Sequence, residues 1–314
     1  MVYNKGMQVM IKDKTRMGVR TAIISVLTLA AGLALVGLRH GSDEFAYQTK
    51  QASTCNGTNA TTTSPANLQV LNNDNILFKG DSITADYRKP YHYGKIVGLL
   101  LDKSYCDLTN VSLYTSGSKG KSYANYAHTI SRSMRAYPYD IVIAEDAGVS
   151  IPSDLFKTSL SEFVSIIRQY NSITVIGLAT TPSLEEKAAI TGNALKYVAA
   201  NNWQDHNVLL KNFVDSDPSL GLIPWRSNSC QAYTKGSDIV YTVDGIHPTP
   251  RGHLLYALSI LKWFGVTEAQ LNFSDLPTLD SSLDIATAKR IASWVYGPQD
   301  ATCGGLAPLP ARKR

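Results

Sequence analysis

Cysteine is scarce. Only 4 occur in 314 residues, and no Cys-x-x-Cys pair or Cys/His cluster is present to hold a structural metal. No cofactor is implied either. A one-signed charge excess is also missing from the body of the chain. Formal net charge is +5, but residues 1–20 hold +4 of it and Arg312, Lys313 and Arg314 add +3, which leaves about −2 for the rest. Nucleic-acid binding needs a basic patch on the folded part, so a nucleic-acid partner is not expected. Repeats at solenoid periods are absent too. What remains is 44% hydrophobic content, ample for one sizeable core but not obviously for two.

One long hydrophobic run stands out. Residues 21–38 (TAIISVLTLAAGLALVGL) carry no charge; Lys12, Lys14, Arg16 and Arg20 precede them and Arg39, Asp43 and Glu44 follow. About 18 apolar residues can just span a bilayer, whereas secretory h-regions usually run to about 7–15. A soluble helix seldom lacks a polar face. The run is therefore expected to be an uncleaved transmembrane signal anchor. Gly32-Leu33-Ala34 is a partial small-residue cleavage site, so secretion after cleavage is the alternative. The positive-inside rule places residues 1–20 in the cytoplasm and everything after Arg39 on the extracytoplasmic side of the membrane. Cys55, Cys106, Cys230 and Cys303 all lie beyond the run, where disulfide bonds survive, and three full pairings are open. Asn56, Asn59, Asn110 and Asn272 each begin an N-x-Ser/Thr triplet, an acceptor where the host glycosylates.

Residues 39–73 read as a Ser/Thr/Asn-rich linker with too few apolar side chains to fold alone. Residues 74–266 form the folded domain, and 267–314 a C-terminal helical extension, with a helix expected at 280–296, ending in a basic tail. Within the domain, strand-like runs at 76–78, 111–114, 141–144, 173–178 and 208–214 alternate with helix-like segments at 91–101, 123–134 and 155–170. A capping box at Ser183 and Glu186 opens a helix towards Ala200, and Thr249-Pro250 starts a last one running to about Phe264. This alternation predicts an α/β fold: a three-layer α/β/α sandwich around a mostly parallel sheet of about five strands. Such sheets carry their sites at the carboxyl ends of the strands.

Ser82 falls there, in Gly80-Asp81-Ser82-Ile83 just past the first strand. Far downstream, Asp244-Gly245-Ile246-His247-Pro248 sets an aspartate and a histidine three positions apart, just before the last helix. Either string alone is ordinary turn chemistry. Together they supply the parts of a nucleophilic hydrolase. A neutral serine hydroxyl attacks poorly unless a base takes its proton, and a histidine near its ordinary pKa suits that role. Asp244 can hold the His247 ring in the right tautomer, and Gly245 permits the tight turn between them.

At these two motifs, over roughly residues 75–264, the chain resembles the SGNH, or GDSL, hydrolase family. The resemblance implies a flavodoxin-like three-layer fold and hydrolysis of esters, or acyl transfer, by Ser82, His247 and Asp244. It also implies an oxyanion hole built from the Ser82 N–H, a glycine after the second strand and an asparagine after the third. Gly120 matches the glycine, with Gly117 as the other register. The asparagine is missing. If Gly148 is the motif glycine, Ser150 takes that position. One turn earlier it is Asp146, whose ionised carboxylate would repel an oxyanion. Losing one such donor costs about 3 kcal/mol, or about a hundredfold in rate.

Residues 217–238, with Trp225, Arg226 and Tyr233, are expected as a wall over the site, there to stack on a sugar or to pack as a lid. Tyr87, Arg88, Tyr91 and His92, which follow the nucleophile, are expected to line the opposite wall. His92, His128 and His206 lack a matching partner for catalysis, and His253 follows the first turn of the last helix. The location outside the membrane points to acyl or acetyl esters of envelope polysaccharide or lipid as substrate. The alternative is a catalytically silent glycan-binding or scaffold protein of the envelope. Oligomeric state is not fixed by the sequence.

Overall fold

The computed structural model describes residues 45–50, 70, 72–105, 108, 110–146, 151–181, 203–244, 246–300 and 303. The expected anchor at 21–38, most of the expected linker, the helix expected after Ser183, and Cys55 and Cys106 lie outside them. Among the described residues no helix is long and apolar enough to cross a membrane.

Six strands among these residues make one sheet: β1 (Phe45–Lys50), β2 (Asn75–Gly80), β3 (Ser112–Gly117), β4 (Ile141–Glu145), β5 (Val175–Ala179) and β6 (Leu220–Ile223), in the order β1-β3-β2-β4-β5-β6. The five from β2 to β6 pair in parallel, as expected. The edge strand β1 runs antiparallel to β3, from Phe45 opposite Gly117 to Lys50 opposite Ser112. That corrects the linker reading for these residues. A six-residue segment cannot build its own core, but joining a sheet edge asks only for main-chain hydrogen bonds.

The described helices are α1 (Ser82–Ala85), α2 (Tyr93–Ser104), α3 (Tyr123–Ala136), α4 (Ser153–Tyr170), α5 (Trp203–Ser216), α6 (Trp225–Lys235), α7 (Pro250–Trp263), α8 (Leu276–Leu279) and α9 (Ile285–Tyr296). The expected fifth strand at 208–214 is thus part of helix α5, and the fifth parallel strand is β6. A short apolar run satisfies either period. Here the helical one wins, because Leu210 and Val214, four apart, are buried while Val208 faces solvent.

Alternation along the strands feeds two cores. Ile76, Phe78, Ile141 and Ile143 point to one face, packed by α2, α7 and α9. Leu77, Val142, Ala144, Ile176 and Leu178 point to the other, packed by α3, α4 and α5. Each fully buried Ile, Leu or Phe contributes about 1.5–3 kcal/mol. The C-terminal helix α9 is part of the same core as β2, through Ala288, Ile291, Ala292 and Val295. Beyond it, Cys303 closes a disulfide with Cys230 of α6, one of the pairings left open by the sequence.

The strand order sets the place of the site. From β2 the chain goes to β3 on one side, then crosses back to β4 on the other. At such a switch point the two connections diverge and leave a crevice at the strands' carboxyl ends. The residues that follow β2 stand at that crevice.

Candidate active site

The turn after β2 is held by its own polar groups. The Asp81 side chain accepts from the Ile83 N–H at 2.9 Å, capping α1, and the Ala85 N–H donates to the Asp81 carbonyl at 2.9 Å. Glu145, the last residue of β4, supports the turn from below. Its Oε1 accepts from the Asp81 N–H at 3.1 Å, the Thr84 N–H at 3.3 Å and the Thr84 hydroxyl at 2.6 Å. Two glycines make room. A Cβ on Gly80 would fall 2.1 Å from Glu145 Oε1, and one on Gly117 would fall 2.1 Å from the Ala85 nitrogen. Four of the turn's N–H groups are thereby used, while that of Ser82 has no partner among the described residues.

The second segment is a narrow loop. Thr242 bridges Pro248, and the Val243 N–H donates to the His247 carbonyl at 2.9 Å. Inside it, Asp244 Oδ1 accepts from the N–H groups of Ile246 at 2.9 Å and His247 at 2.8 Å. Asp244 Oδ2 lies 2.6 Å from His247 Nδ1. The loop ends at Thr249, whose side chain accepts from the Gly252 N–H and caps α7, with Pro250 at the first helical position. Gly245 lies outside the described residues.

The two segments meet. His247 Nε2 is 3.0 Å from Ser82 Oγ, across 165 positions of sequence. Burial pushes the Asp244 carboxyl up, but hydrogen bonds from the His247 ring and from the N–H groups of His247 and Ile246 outweigh it and hold the carboxyl below its ordinary range. An ionised carboxylate only accepts, so the proton between it and the ring belongs to Nδ1. In the neutral ring Nε2 is then the bare nitrogen, 3.0 Å from the serine hydroxyl. The His247 side chain is 36% exposed and that of Asp244 49%, so the relay opens to solvent.

The remaining expected site residues divide. Gly120 sits in the loop after β3 at φ +64°, where a Cβ would meet nothing within 4 Å. Gly117 is the last residue of β3, filled against α1. Ser150 and Gly148 lie outside the described residues. Asp146 is buried, and its Oδ2 accepts from the Tyr123 N–H at the start of α3. Of the two uses open to Trp225 the structure shows packing rather than sugar stacking: it is buried and stacks on Tyr256 with ring centres 3.9 Å apart, because it opens α6 against α7. Tyr233 packs edge-on to Tyr241. In the opposite wall His92 is corrected. It is buried, its Nδ1 accepting from the Gly94 N–H at the start of α2, whereas Arg88 is exposed. Glu145 was not foreseen. Its signal in the sequence is a carboxylate closing an otherwise apolar strand.

No protein-family model and no curated protein matches the chain significantly. Solved structures do. A GDSL-like lipase candidate from Parabacteroides merdae aligns with a TM-score of 0.54 at 17% identity, over 64% of this chain and 99% of that one. The acetylxylan esterase Axe2 from Geobacillus stearothermophilus aligns at 0.52 and 17%, over 63% and 97%. LAE5, an alpha/beta hydrolase from the metagenome of Lake Arreo, aligns at 0.52 and 14%, over 63% and 98%. A parallel sheet between two helical layers is the shared frame. The chain has the fold of the SGNH, or GDSL, hydrolases.

Proposed function

We propose that the protein is a carboxylic ester hydrolase in which Ser82 is the nucleophile, His247 the general base and Asp244 the residue that orients and stabilises the ring. The hydrogen-bonded relay from Ser82 through His247 to Asp244 carries this reading. His247 Nε2 takes the hydroxyl proton as Ser82 Oγ bonds to the ester carbonyl carbon. The resulting imidazolium lies against the Asp244 carboxylate. The tetrahedral adduct then expels the alcohol, which leaves with the proton from His247, and an acyl-Ser82 ester remains. Water repeats the sequence with His247 as base and releases the acid.

The oxyanion falls to the unpartnered Ser82 N–H, with Gly120 as a second donor. The position of the third donor, an asparagine in the family, goes to Ser150 in this reading. A serine there makes a slower or more specialised catalyst. Similar structures include an acetylxylan esterase, which supports a short acyl or acetyl ester on a polysaccharide as substrate. The apolar run at 21–38 and the Cys230–Cys303 disulfide support a domain held on the outer side of a membrane, near envelope glycans and lipids. Transfer of the acyl group to a sugar hydroxyl, in place of water, is the same chemistry with another acceptor.

Purified protein is expected to turn over p-nitrophenyl acetate faster than long-chain esters and to be labelled at Ser82 by a fluorophosphonate. Ser82→Ala abolishes both with the fold intact. Equal labelling of wild type and Ser82→Ala refutes the assignment. The missing asparagine favours one rival, a silent glycan-binding scaffold. Turnover by wild type that is lost in His247→Ala excludes it.

A further inference from the structure

The turn that carries Ser82 donates three hydrogen bonds to one oxygen outside itself. Glu145 comes from β4, a different strand, and is fully buried. Its Oε1 gathers three donors, the N–H groups of Asp81 and Thr84 and the Thr84 hydroxyl. These donors straddle Ser82. Thr84 is tied in turn to α2, its hydroxyl 2.7 Å from the Tyr93 hydroxyl.

We propose that Glu145 is a positioning residue for the nucleophile. By taking the N–H groups on either side of Ser82, its Oε1 fixes the turn so that the Ser82 hydroxyl meets His247 and the Ser82 N–H alone is left for the oxyanion. The assignment rests on the esterase reading above.

Three observations support it beyond the bonds themselves. Gly80 has no Cβ where one would collide with this oxygen, so the approach of the carboxyl to the turn is built into the backbone. The other carboxyl oxygen, Oε2, is buried and has no hydrogen-bond partner among the described residues, so the bonds they offer converge on Oε1. Burial, and then the nearby Asp81 carboxylate, raise the Glu145 carboxyl well above its ordinary range against the opposing Thr84 hydrogen bond, which favours a neutral acid. A neutral acid bears its proton on Oε2 and leaves Oε1 as a pure acceptor. Glutamine reproduces that arrangement, its carbonyl accepting and its amide standing where the acid O–H stood.

The test is steady-state kinetics on p-nitrophenyl acetate, with fluorophosphonate labelling rates, for wild type, Glu145→Ala, Glu145→Gln and Thr84→Val. Glu145→Ala is expected to lower kcat at least thirtyfold with KM within twofold, and to slow labelling in parallel. Glu145→Gln regains at least tenfold of that loss. Thr84→Val, which removes one donor of three, lowers kcat about three- to tenfold at unchanged KM. A folded Glu145→Ala with kcat within twofold of wild type, or with its loss in KM alone, overturns the proposal. If Glu145→Ala does not melt cooperatively, Thr84→Val decides, and a kcat equal to wild type overturns it. A wild type inert to both reagents overturns the esterase reading together with this one, whereas an active wild type with indifferent variants overturns this one alone.

Discussion

Replacing Asp244 by asparagine separates the two things that a carboxylate does here. Asp244 anchors its loop through Oδ1, which accepts two backbone N–H groups, and faces the ring through Oδ2 at 2.6 Å. Asparagine keeps an oxygen for the anchor and turns an N–H₂ group towards Nδ1. That pairing forces the proton onto Nε2, so the ring cannot accept from Ser82. The charge adds to the loss. A carboxylate and an imidazolium about 4 Å apart attract by about 1 kcal/mol in water and about 4 kcal/mol at an effective dielectric of 20. With the two side chains 49% and 36% exposed, solvent screening places the pair between these limits, at about 2 kcal/mol or about thirtyfold in kcat. In a buried triad the asparagine variant loses about 10⁴-fold. Here the expected loss is about 10²–10³-fold, smaller because the ring can turn into solvent. Asp244→Ala loses the charge but not the tautomer and is expected to fall only about thirtyfold, provided that its loop holds. The assay is kcat on p-nitrophenyl acetate beside thermal melting. Asp244→Asn within threefold of wild type at an unchanged melting point would refute the ring-orienting role. Asp244→Ala slower than Asp244→Asn would show that anchoring the loop outweighs orienting the ring.

Two further predictions concern stability. Burial, with a smaller contribution from Lys95, lowers the His92 pKa to about 3, and burial holds His253 well below its ordinary range. Both rings are neutral when folded and gain protons on unfolding below about pH 6.5, so the stability that they contribute is whole above that pH and is lost as pH falls from 6.5 towards 3. At about 1.4 kcal/mol per unit, His92 alone accounts for up to about 5 kcal/mol. His92→Asn keeps a capping acceptor for the Gly94 N–H, and urea midpoints for this variant should fall less steeply over that window; an unchanged slope refutes the account. The Cys230–Cys303 bond closes a separation of 73 residues, for which loop entropy gives about 4 kcal/mol. Thiol reductant, or Cys230→Ser with Cys303→Ser, should lower the denaturation midpoint with little change in KM, since the bond ties α6 to the C-terminal segment rather than to the relay.

The architecture was legible because its signals are local. Strands β2 to β5 are short apolar runs bounded by turn residues, and each reappears within two or three positions of its expected place. Helix α7 begins where Thr249-Pro250 announced it, since a capping oxygen and a fixed φ act within one turn. The pair Asp244 and His247 was legible for the same reason: three residues apart, they share one loop. Their meeting with Ser82 was inferred from chain order, and the switch point of the sheet explains it. What stayed hidden depends on partners. Residues 45–50 hold the strand-favouring Phe45, Tyr47 and Thr49, but the Ser/Thr/Asn-rich residues around them hid that signal, and the pairing itself is main chain to main chain. Leu210 and Val214 read as strand until one knows which face of α5 is buried. Trp225 was open between stacking on a sugar and packing, because aromatic side chains serve both surfaces and cores, and only Tyr256, 31 positions on, decides for packing.

Glu145 is the instructive case. Read in its own strand, a carboxylate after Ile-Val-Ile-Ala is a burial cost without a reason. Its reason lies 61 to 64 positions away, in the Asp81 and Thr84 donors. The same reasoning bears on the asparagine missing after β4. The segment that ought to supply it begins instead with two acids, Glu145 and Asp146, each turned to a backbone N–H that opens a helix, α1 for one and α3 for the other. These carboxyls are spent on fixing the two helix starts that border the site, and neither is free to face an oxyanion. On the esterase reading, with Ser150 a weaker donor than an asparagine, more of that charge falls to the turn that Glu145 steadies, and the Ser82 N–H matters more here than in a site with a full set. If so, the kcat loss of Glu145→Ala should exceed the loss from removing any other single support of the turn, Thr84→Val included, and equal losses in the two would argue that the hydroxyl alone carries the effect.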